Sequence, residues 1–254
     1  TGASSGIGKV TCLYLAEKGY NVIGTSRASS RLGDLYSEAD QRGVTVHGLE
    51  LDINSDAEVR RVMPEVFNQF GEIHALVNNA GYGLWGPVES LSIDEMRMQF
   101  ETNLFAVLRM TQAVLPGMIE RRAGKIINIS SVLGRLATPF NGAYASSKFA
   151  LEGLSESLST EVSPFGVHVA LVEPGLFETE FQRNQVRARR RRGDRRAQDI
   201  HVLLESGIYG QGSNRGLAGG SRQGTEYGRM IVENIDNFGL HGIPQHQHGP
   251  GIAL

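Results

Sequence analysis

The chain has 254 residues, of which 40% are hydrophobic and 20% charged, and a formal net charge of −2 at pH 7. This length suits one large α/β domain or two small ones, and the charge gives no general reason to expect nucleic acid as a partner. No apolar run reaches the roughly 18 to 20 residues of a membrane-spanning helix, and the single cysteine, Cys12, excludes an internal disulfide framework.

The chain begins with a glycine-rich stretch, TGASSGIGKVT. A mononucleotide loop fits poorly, because Ala3 stands where a glycine is required and Val10 has no oxygen for magnesium. The dinucleotide pattern fits better, since its glycines turn the chain and let the backbone approach a pyrophosphate. A helix is predicted from about Gly6, with its free N–H groups facing the anion. An ordinary turn before a helix is the alternative for the three glycines Gly2, Gly6 and Gly8.

Short apolar strands then alternate with amphipathic helical stretches up to about residue 180. This alternation predicts crossover units and an α/β fold with a doubly wound parallel sheet. Burial of such a sheet on both faces explains why its strands are almost continuously apolar. The predicted strands are 21–25, 44–49, 75–77, 125–129 and 167–172, and the clearest helices are 56–70 and 93–119.

The composition changes after residue 182. The stretch 183–196 contains eight arginines in fourteen residues, and 13 of the last 71 residues are glycine. We therefore predict a domain over 1–182 and an irregular tail over 183–254, as loop or disorder. Translation of a shifted reading frame would produce a sequence of this composition. Nucleic-acid binding by the arginine run and a metal site at His241, His246 and His248 are less favoured alternatives, the latter because no acid or cysteine lies nearby.

Tyr144 and Lys148 lie four residues apart in YASSK, which begins a long helical pattern. They therefore share one helical face. A phenol with a pKa near 10 is a poor acid or base at pH 7, and a neighbouring ammonium lowers that pKa. Lowering it to about 7 takes roughly 4 kcal/mol of differential interaction. The pair alone is also typical of an ordinary helix surface, so it needs support from elsewhere in the chain.

That support comes from five motifs in a fixed order: TGASSGIG, NNAG at 78–81, INISS at 127–131, YASSK at 144–148 and PG at 174–175. Over residues 1–182 the chain resembles the short-chain dehydrogenase/reductase family. Within the family, GYGLWGPVE and PFNGAYASSKFALEGL are similar to hydroxysteroid and retinol dehydrogenases and to many bacterial members.

The resemblance implies a mechanism. Tyr144 would be the general acid for carbonyl reduction and the base for alcohol oxidation. Lys148 would lower the tyrosine pKa and bind the nicotinamide ribose. Ser131 would polarise the substrate oxygen; Ser130 is the alternative, but Ser131 has the family spacing of 13 residues to the tyrosine. Asn103 would hold a water that links Lys148 to solvent.

Arg27 follows the predicted strand 21–25, where an acid would bind the ribose hydroxyl of NAD and an arginine would accommodate the 2′-phosphate of NADP. We therefore expect NADP(H) in preference to NAD(H). The resemblance assigns cofactor contacts to further residues: Gly2, Ser4, Ser5, Gly6, Ile7, Gly8, Asp52, Asn79, Ala80, Gly81, Tyr144, Lys148, Pro174, Gly175 and Thr179.

The expected function is hydride transfer between NADP(H) and a small apolar carbonyl or alcohol. The alternatives are a non-catalytic dinucleotide-binding or basic-tail interaction protein and an inactive fragment. Long helical stretches, 93–119 and 143–162, are candidates for pairing with a second copy. Five loop residues suggest the apolar substrate, although each is equally consistent with packing: Leu84, Trp85, Leu133, Phe140 and Phe177.

Both ends depart from the family. There the glycine loop follows a first, central strand, which is absent before Thr1. Its apolar side chains would contribute about 8 kcal/mol at roughly 2 kcal/mol each. We therefore expect a fragment that folds poorly, with its true N-terminus missing and a cytoplasmic location. No last apolar strand is found after residue 183.

Overall fold

The structure, a computed structural model, describes residues 1–175 and 186–188 and the backbone strand at 252–253. The helices are α1 (Gly6–Glu17), α2 (Gly33–Gln41), α3 (Asp56–Phe70), α4 (Ile93–Phe100), α5 (Ala106–Glu120) and α6 (Gly142–Val162). The strands are β1 (Asn21–Ser26), β2 (His47–Glu50), β3 (Ile73–Asn78), β4 (Leu84–Trp85), β5 (Gly124–Ile129), β6 (Val167–Val172), β7 (Val186–Arg187) and β8 (Ile252–Ala253).

Six strands form one parallel sheet in the order β2-β1-β8-β3-β5-β6. Alternate residues of a strand point to opposite faces, and β3 shows the result. Ala75 and Val77 pack with α1 and α2 in one apolar core. Leu76 packs with α3 and α5 in a second core. The prediction of a doubly wound parallel sheet is therefore confirmed.

The tail contributes strands that the sequence did not predict. β8 pairs in parallel with Asn21 and Val22 on one side and with Ile73 and Ala75 on the other. A strand thus lies between β1 and β3, where the expected first strand was thought to be missing. A two-residue strand is too short to produce a periodic pattern, which explains why it was not found.

The other predictions about the tail fall outside the described residues. These include the arginine run apart from residues 186–188, and the three histidines at 241, 246 and 248. The division of the chain at residue 182 stays a prediction. Within the described residues, the structure contains no helix long and apolar enough to cross a membrane.

The predicted helix over 93–119 is interrupted. α4 begins with a capping box in which Ser92 and Glu95 bond each other's backbone N–H groups, and it ends at Phe100. One π-helical turn, Glu101–Phe105, then leads into α5. Such turns contain wider hydrogen-bonded loops and are frequent at functional sites. Here the turn contains Asn103, which is fully buried, so the interruption sets the direction of that side chain.

Candidate active site

The glycine loop is held against the end of β3. Thr1 accepts hydrogen bonds through its hydroxyl from the backbone N–H groups of Asn79 (3.1 Å) and Ala80 (3.0 Å). The Asn79 amide donates to the Thr1 carbonyl at 2.9 Å. Gly2 has φ +69°, and a Cβ there would lie 2.9 Å from the Ala80 Cα atom. The loop and residues 79–80 therefore meet at the carboxyl end of the sheet, where open α/β folds bind ligands.

The start of α1 is open and uncapped. Ser5 is the N-cap residue, but its side chain makes no capping hydrogen bond, and the first turn has no acidic residue. Gly6 has φ +56°, and nothing lies within 4 Å of the position of a Cβ. Free N–H groups and the positive end of the helix dipole favour an anion. This end of α1, flanked by the half-buried Ser4 and Ile7, fits a pyrophosphate.

Gly8 explains how closely α1 approaches the loop. A Cβ at this position would overlap the Gly2 carbonyl oxygen and the Asn79 amide nitrogen. The close approach requires glycine, as the dinucleotide pattern predicts. Lys9, one residue further, forms an ion pair with Glu38 of α2. Its ammonium is therefore engaged in helix packing, which agrees with the rejection of a mononucleotide loop.

Tyr144 and Ser131 lie together at the carboxyl end of β5. The Tyr144 side chain is only 7% exposed, and its phenol forms a hydrogen bond with the Ser131 hydroxyl. Burial raises the pKa of Tyr144 to about 12, and the Ser131 bond opposes the rise. Ser131 also accepts a hydrogen bond from the Leu133 backbone N–H at 3.1 Å. The serine pairs with the phenol, so Ser131 and not Ser130 is in place to share a bound oxygen.

The predicted lowering of the Tyr144 pKa by Lys148 is wrong in this structure. The Lys148 Nζ lies 5.8 Å from the centre of the tyrosine ring and donates a 2.6 Å hydrogen bond to the Ile129 carbonyl. Loss of water around the phenol therefore outweighs the effect of the ammonium. The Lys148 side chain is itself buried, and burial lowers its pKa from 10.5 to about 8.

Asn103 joins the site from the π-helical turn. Its amide donates to the Tyr82 carbonyl at 3.0 Å and to the Ser147 hydroxyl at 3.1 Å, and its oxygen accepts from the Tyr82 N–H at 3.2 Å. A Cβ on Gly81 would lie 3.1 Å from the Asn103 Oδ1 and 3.8 Å from the Lys148 Nζ. The glycine of NNAG therefore separates the asparagine from the lysine, and the four predicted catalytic residues lie in one region.

Arg27 is exposed directly after β1. Burial raises the pKa of Tyr82, and the charge of Arg27 opposes part of that rise. Asp52 accepts a hydrogen bond from the Asn54 backbone N–H at 3.1 Å. Glu50, which the sequence pattern did not indicate as a site residue, pairs in register with Ser26 at the tip of β1. The predicted strand 44–49 ends one residue before this acid, and the pattern therefore does not place Glu50 next to β1.

The Glu50 carboxylate already has a hydrogen-bond partner in the loop after β1. Its carboxylate accepts a 2.9 Å hydrogen bond from the Ser29 backbone N–H, which lowers its pKa. Arg27 therefore stays the exposed charge that directly follows β1. At the other side of the site, the Pro174 carbonyl accepts a hydrogen bond from the Val132 N–H at 3.1 Å, which places Pro174 and Gly175 next to the loop that carries Ser131.

The predicted substrate residues divide into two groups. Leu84 and Leu133 are buried, and Leu133 packs with Tyr144. Trp85 and Phe140 meet edge to face, with ring centres 6.4 Å apart. The unpredicted β7 pairs with β4, and the Arg187 guanidinium lies 6.0 Å from the Trp85 ring. Phe177 and Thr179 lie outside the described residues.

Among the residues that the structure describes, no group of three or more His, Cys, Asp or Glu side chains could hold a metal ion. Phe105 and Phe149, in the two stretches proposed for pairing, are each 45% exposed. Assembly with a second copy stays a prediction.

A family model described as short chain dehydrogenase matches residues 1–190. The chain belongs to the short-chain dehydrogenase family. It is 44% identical over 186 residues to a 3-ketodihydrosphingosine reductase from Bacteroides thetaiotaomicron, covering 73% of this chain and 65% of the relative. It is equally identical over 186 residues to human retinol dehydrogenase 8, covering 72% of this chain and 59% of the relative. The predicted resemblance is confirmed.

The chain therefore spans about 59–65% of the length of these two relatives. Among solved structures, a gluconate 5-dehydrogenase from Burkholderia cenocepacia in complex with NADP and tartrate is 33% identical, with a TM-score of 0.68 and 72% of each chain covered. The site described above lies within residues 1–190, the part of the chain that the family model matches.

Proposed function

We propose that the chain carries the cofactor and catalytic site of an oxidoreductase that transfers hydride between NADP(H) and an apolar carbonyl or alcohol. The observation that carries this proposal is the buried Tyr144 phenol bonded to Ser131, with Lys148 and Asn103 in the same region. The open start of α1 fits the pyrophosphate of the dinucleotide. NADP(H), when bound, supplies or accepts the hydride.

Tyr144 acts as the proton donor in carbonyl reduction. With a pKa raised to about 12, the phenol stays protonated at neutral pH. It donates this proton to the substrate oxygen as negative charge develops there, while the Ser131 hydroxyl donates a second hydrogen bond to the same oxygen. A phenol that is protonated at pH 7 is ready for the acid role in carbonyl reduction.

Lys148 and Asn103 support this step. Because the pKa of Lys148 is about 8, its ammonium is mainly charged at pH 7 and can donate to ribose hydroxyls. The Asn103 amide, fixed between Tyr82 and Ser147, keeps the π-helical turn beside the lysine. A proton taken from Tyr144 would be replaced through this polar region, with water bound at Asn103 as the route.

Arg27 supports NADP(H) over NAD(H). A guanidinium makes strong charge-assisted hydrogen bonds to a phosphate, and Arg27 is exposed where the adenosine ribose is expected. The solved relative from Burkholderia cenocepacia is a complex with NADP. The cofactor contacts proposed for Asp52, for residues 79–81 and for Pro174 and Gly175 follow from the same placement of the dinucleotide.

The proposed substrate is an apolar carbonyl or alcohol. Trp85 and Phe140 form an aromatic pair beside the strand that carries Leu84, and Leu133 packs on Tyr144. Two relatives have names that refer to lipid substrates, a ketodihydrosphingosine and retinol. A lipid ketone or aldehyde is therefore the first compound class to test.

The test is cofactor oxidation with a panel of aliphatic and aromatic aldehydes and ketones, with NADPH and NADH compared. We expect substrate-dependent oxidation of NADPH, faster with apolar than with charged carbonyls. Calorimetric binding of NADPH without any turnover on the panel would instead support a non-catalytic dinucleotide-binding protein. Binding of DNA or RNA that weakens steeply with salt would support the basic-tail alternative.

A further inference from the structure

The face of α6 that carries Tyr144 and Lys148 continues with a third polar residue, Glu152. The three residues are spaced by four, so they lie on one side of the helix. Glu152 is only 3% exposed, which is unusual for a carboxylate because burial of an unpaired charge is costly. The mechanism proposed above gives this side chain no role, so its burial requires an explanation.

Arg135 compensates part of this buried charge. Its guanidinium lies 3.0 Å from the Glu152 Oε2, 2.9 Å from the Glu156 Oε1 and 3.1 Å from the Glu173 Oε1. It therefore connects three segments: the loop after Ser131, helix α6, and the end of β6 before the PG motif. These segments carry the groups proposed to bind the substrate oxygen and the cofactor.

Close packing fixes the carboxylate from the opposite side. A Cβ on Gly134 would lie 2.7 Å from the Ser130 Oγ and 3.0 Å from the Glu152 Oε1. The glycine backbone thus lies against both polar atoms. Burial raises the pKa of the Glu152 carboxyl, and the neighbouring Ser130, the serine that does not pair with Tyr144, opposes this rise. The Ser130 Oγ is buried and makes no hydrogen bond of good geometry to the residues that the structure describes.

We propose that Glu152 is a positioning residue: its buried carboxylate, held by Arg135, stabilises the ammonium of Lys148 one helical turn away. This inference rests on the proposed function, in which charged Lys148 binds the cofactor. The attraction between unlike charges increases as water is removed from between them. Burial lowers the pKa of Lys148, and the charge of Glu152 opposes that change.

Other charged groups face this pair and set the expected signs. Lys148 has Tyr144 and Asn103 on its other side. Glu152 has the cation of Arg135, with Glu156 and Glu173 beyond it. Loss of the Glu152 charge should lower the proton affinity of Lys148. Loss of the Arg135 charge should raise the proton affinity of Lys148. The repulsion between the Arg135 and Lys148 cations disappears, and Arg135 no longer compensates the negative charge of Glu152.

The small number of lysines allows a direct measurement. The whole chain has four: Lys9, Lys18, Lys125 and Lys148. NMR of protein labelled with ¹³C at the lysine Cε atoms follows each ammonium through its titration. The resonance that disappears in Lys148→Arg is the one from Lys148. In the wild-type protein the Lys148 resonance should titrate near pH 8.

Four variants then test the role of the carboxylate. Glu152→Gln should lower the titration midpoint of Lys148 by about one pH unit, a tenfold loss of proton affinity. Arg135→Gln should raise it. Glu156→Gln, which removes the exposed carboxylate bonded to the same arginine, is the matched control and should leave it unchanged. Glu152→Asp keeps the charge and should restore most of the shift.

The outcomes separate this inference from the proposed function. An unchanged Lys148 midpoint in Glu152→Gln, or shifts of the same sign in Glu152→Gln and Arg135→Gln, would overturn it whether or not the enzyme turns over. If Glu152→Gln does not fold, the sign of the Arg135→Gln shift decides. A Lys148 that responds as expected in a protein inactive towards all carbonyls would refute the proposed function alone.

In an active enzyme, the pH profile provides a second readout. The alkaline fall in kcat/KM for carbonyl reduction should move to lower pH in Glu152→Gln and stay in place in Glu156→Gln. A purely structural role of Glu152 would lower kcat/KM at every pH without moving this limb. Such a result would contradict the inference.

Discussion

The two helices of the candidate site, α1 and α6, present opposite kinds of surface. The start of α1 offers backbone N–H groups, has no capping side chain and is open at Gly6. The face of α6 offers side chains that are buried and already bonded, with Tyr144 on Ser131 and Lys148 on the Ile129 carbonyl. The start of α1 therefore presents bare backbone N–H groups, whereas α6 presents side chains whose burial changes their pKa values.

The largest effect is expected when the phenol hydroxyl of α6 is removed. Tyr144→Phe should reduce kcat for carbonyl reduction by about 10²- to 10⁴-fold, the usual contribution of a positioned general acid. Binding of NADPH by calorimetry should change little, because the phenol is needed for the proton and not for the pyrophosphate. Tyr36→Phe, on an exposed tyrosine of α2, is the control and should keep full activity. A Tyr144→Phe enzyme within tenfold of wild type would refute the role of the phenol.

Lys148 shows how burial of a charged side chain on α6 affects the stability of the fold. Its pKa falls from 10.5 to about 8 on folding, so between these values the unfolded chain binds more protons than the folded one. The free energy of unfolding therefore rises with pH in this window. Burial of the charged Lys148 lowers the free energy of unfolding by about 3 kcal/mol, and this loss is fully present below pH 8. Lys148→Met should remove this rise, so the difference in unfolding free energy between the two proteins, measured by denaturant unfolding, should change steadily between pH 8 and 10.

Two comparisons limit the interpretation of that experiment. Tyr144, with its pKa raised to about 12, and Cys12, whose pKa burial raises from 9.0 to about 11, make stability fall above about pH 10 and pH 9 respectively. Both groups are present in wild type and in Lys148→Met, so their contributions cancel in the difference between the two proteins. Lys18→Met, on an exposed lysine at the end of α1, should keep the wild-type slope. The same slope in Lys148→Met and wild type would show that the ammonium is solvated.

The sequence predicted the local parts of the site well. Tyr144 and Lys148 share a face because four residues make about one helical turn, and the position of Ser131 followed from its spacing. The direction of the Tyr144 pKa was wrong, because burial depends on chain segments that are distant in sequence. The π-helical turn at Asn103 also needs tertiary partners, Tyr82 and Ser147, that no local pattern reveals.

The sheet shows the same limit. Strands β1 and β6 were predicted almost to the residue, because each contains β-branched apolar residues that favour strands, Val22 and Ile23 in β1 and three valines in β6. β2 was predicted three residues too early, over 44–49. Val44 instead bonds its backbone N–H to Ala39 and closes α2. β7 and β8 have two residues each, and only their pairing partners identify strands of that length.

Arg27, on the exposed side of the candidate site, allows a test of the preference for NADPH over NADH. Arg27→Ala should raise KM for NADPH by about 10- to 100-fold, since hydrogen bonds to charged groups contribute about 1.5–3 kcal/mol. KM for NADH, which has no 2′-phosphate, should stay within about twofold. The measurement is initial rates with both cofactors at low ionic strength. Arg27→Ala with an undiminished preference for NADPH would assign the 2′-phosphate to another group.

The smallest expected effects come from one glycine in each helix. Gly153 is exposed on α6 with nothing within 4 Å of a Cβ, so Gly153→Ala should stabilise the protein by about 0.5–1 kcal/mol through helix propensity. In α1, the added methyl of Gly8→Ala would overlap Gly2 and Asn79, at a cost of about 1–3 kcal/mol.

Thermal melting distinguishes the two glycines, because about 1 kcal/mol shifts Tm by about 2–4 °C in a domain of this size. We expect a higher Tm for Gly153→Ala and a lower Tm for Gly8→Ala, which should also bind NADPH more weakly because the loop must move. Equal shifts of one sign would mean that the two helices do not differ in their need for bare backbone. Opposite shifts would show that glycine in α1 is required by the close approach of the loop, whereas glycine in α6 only weakens the helix.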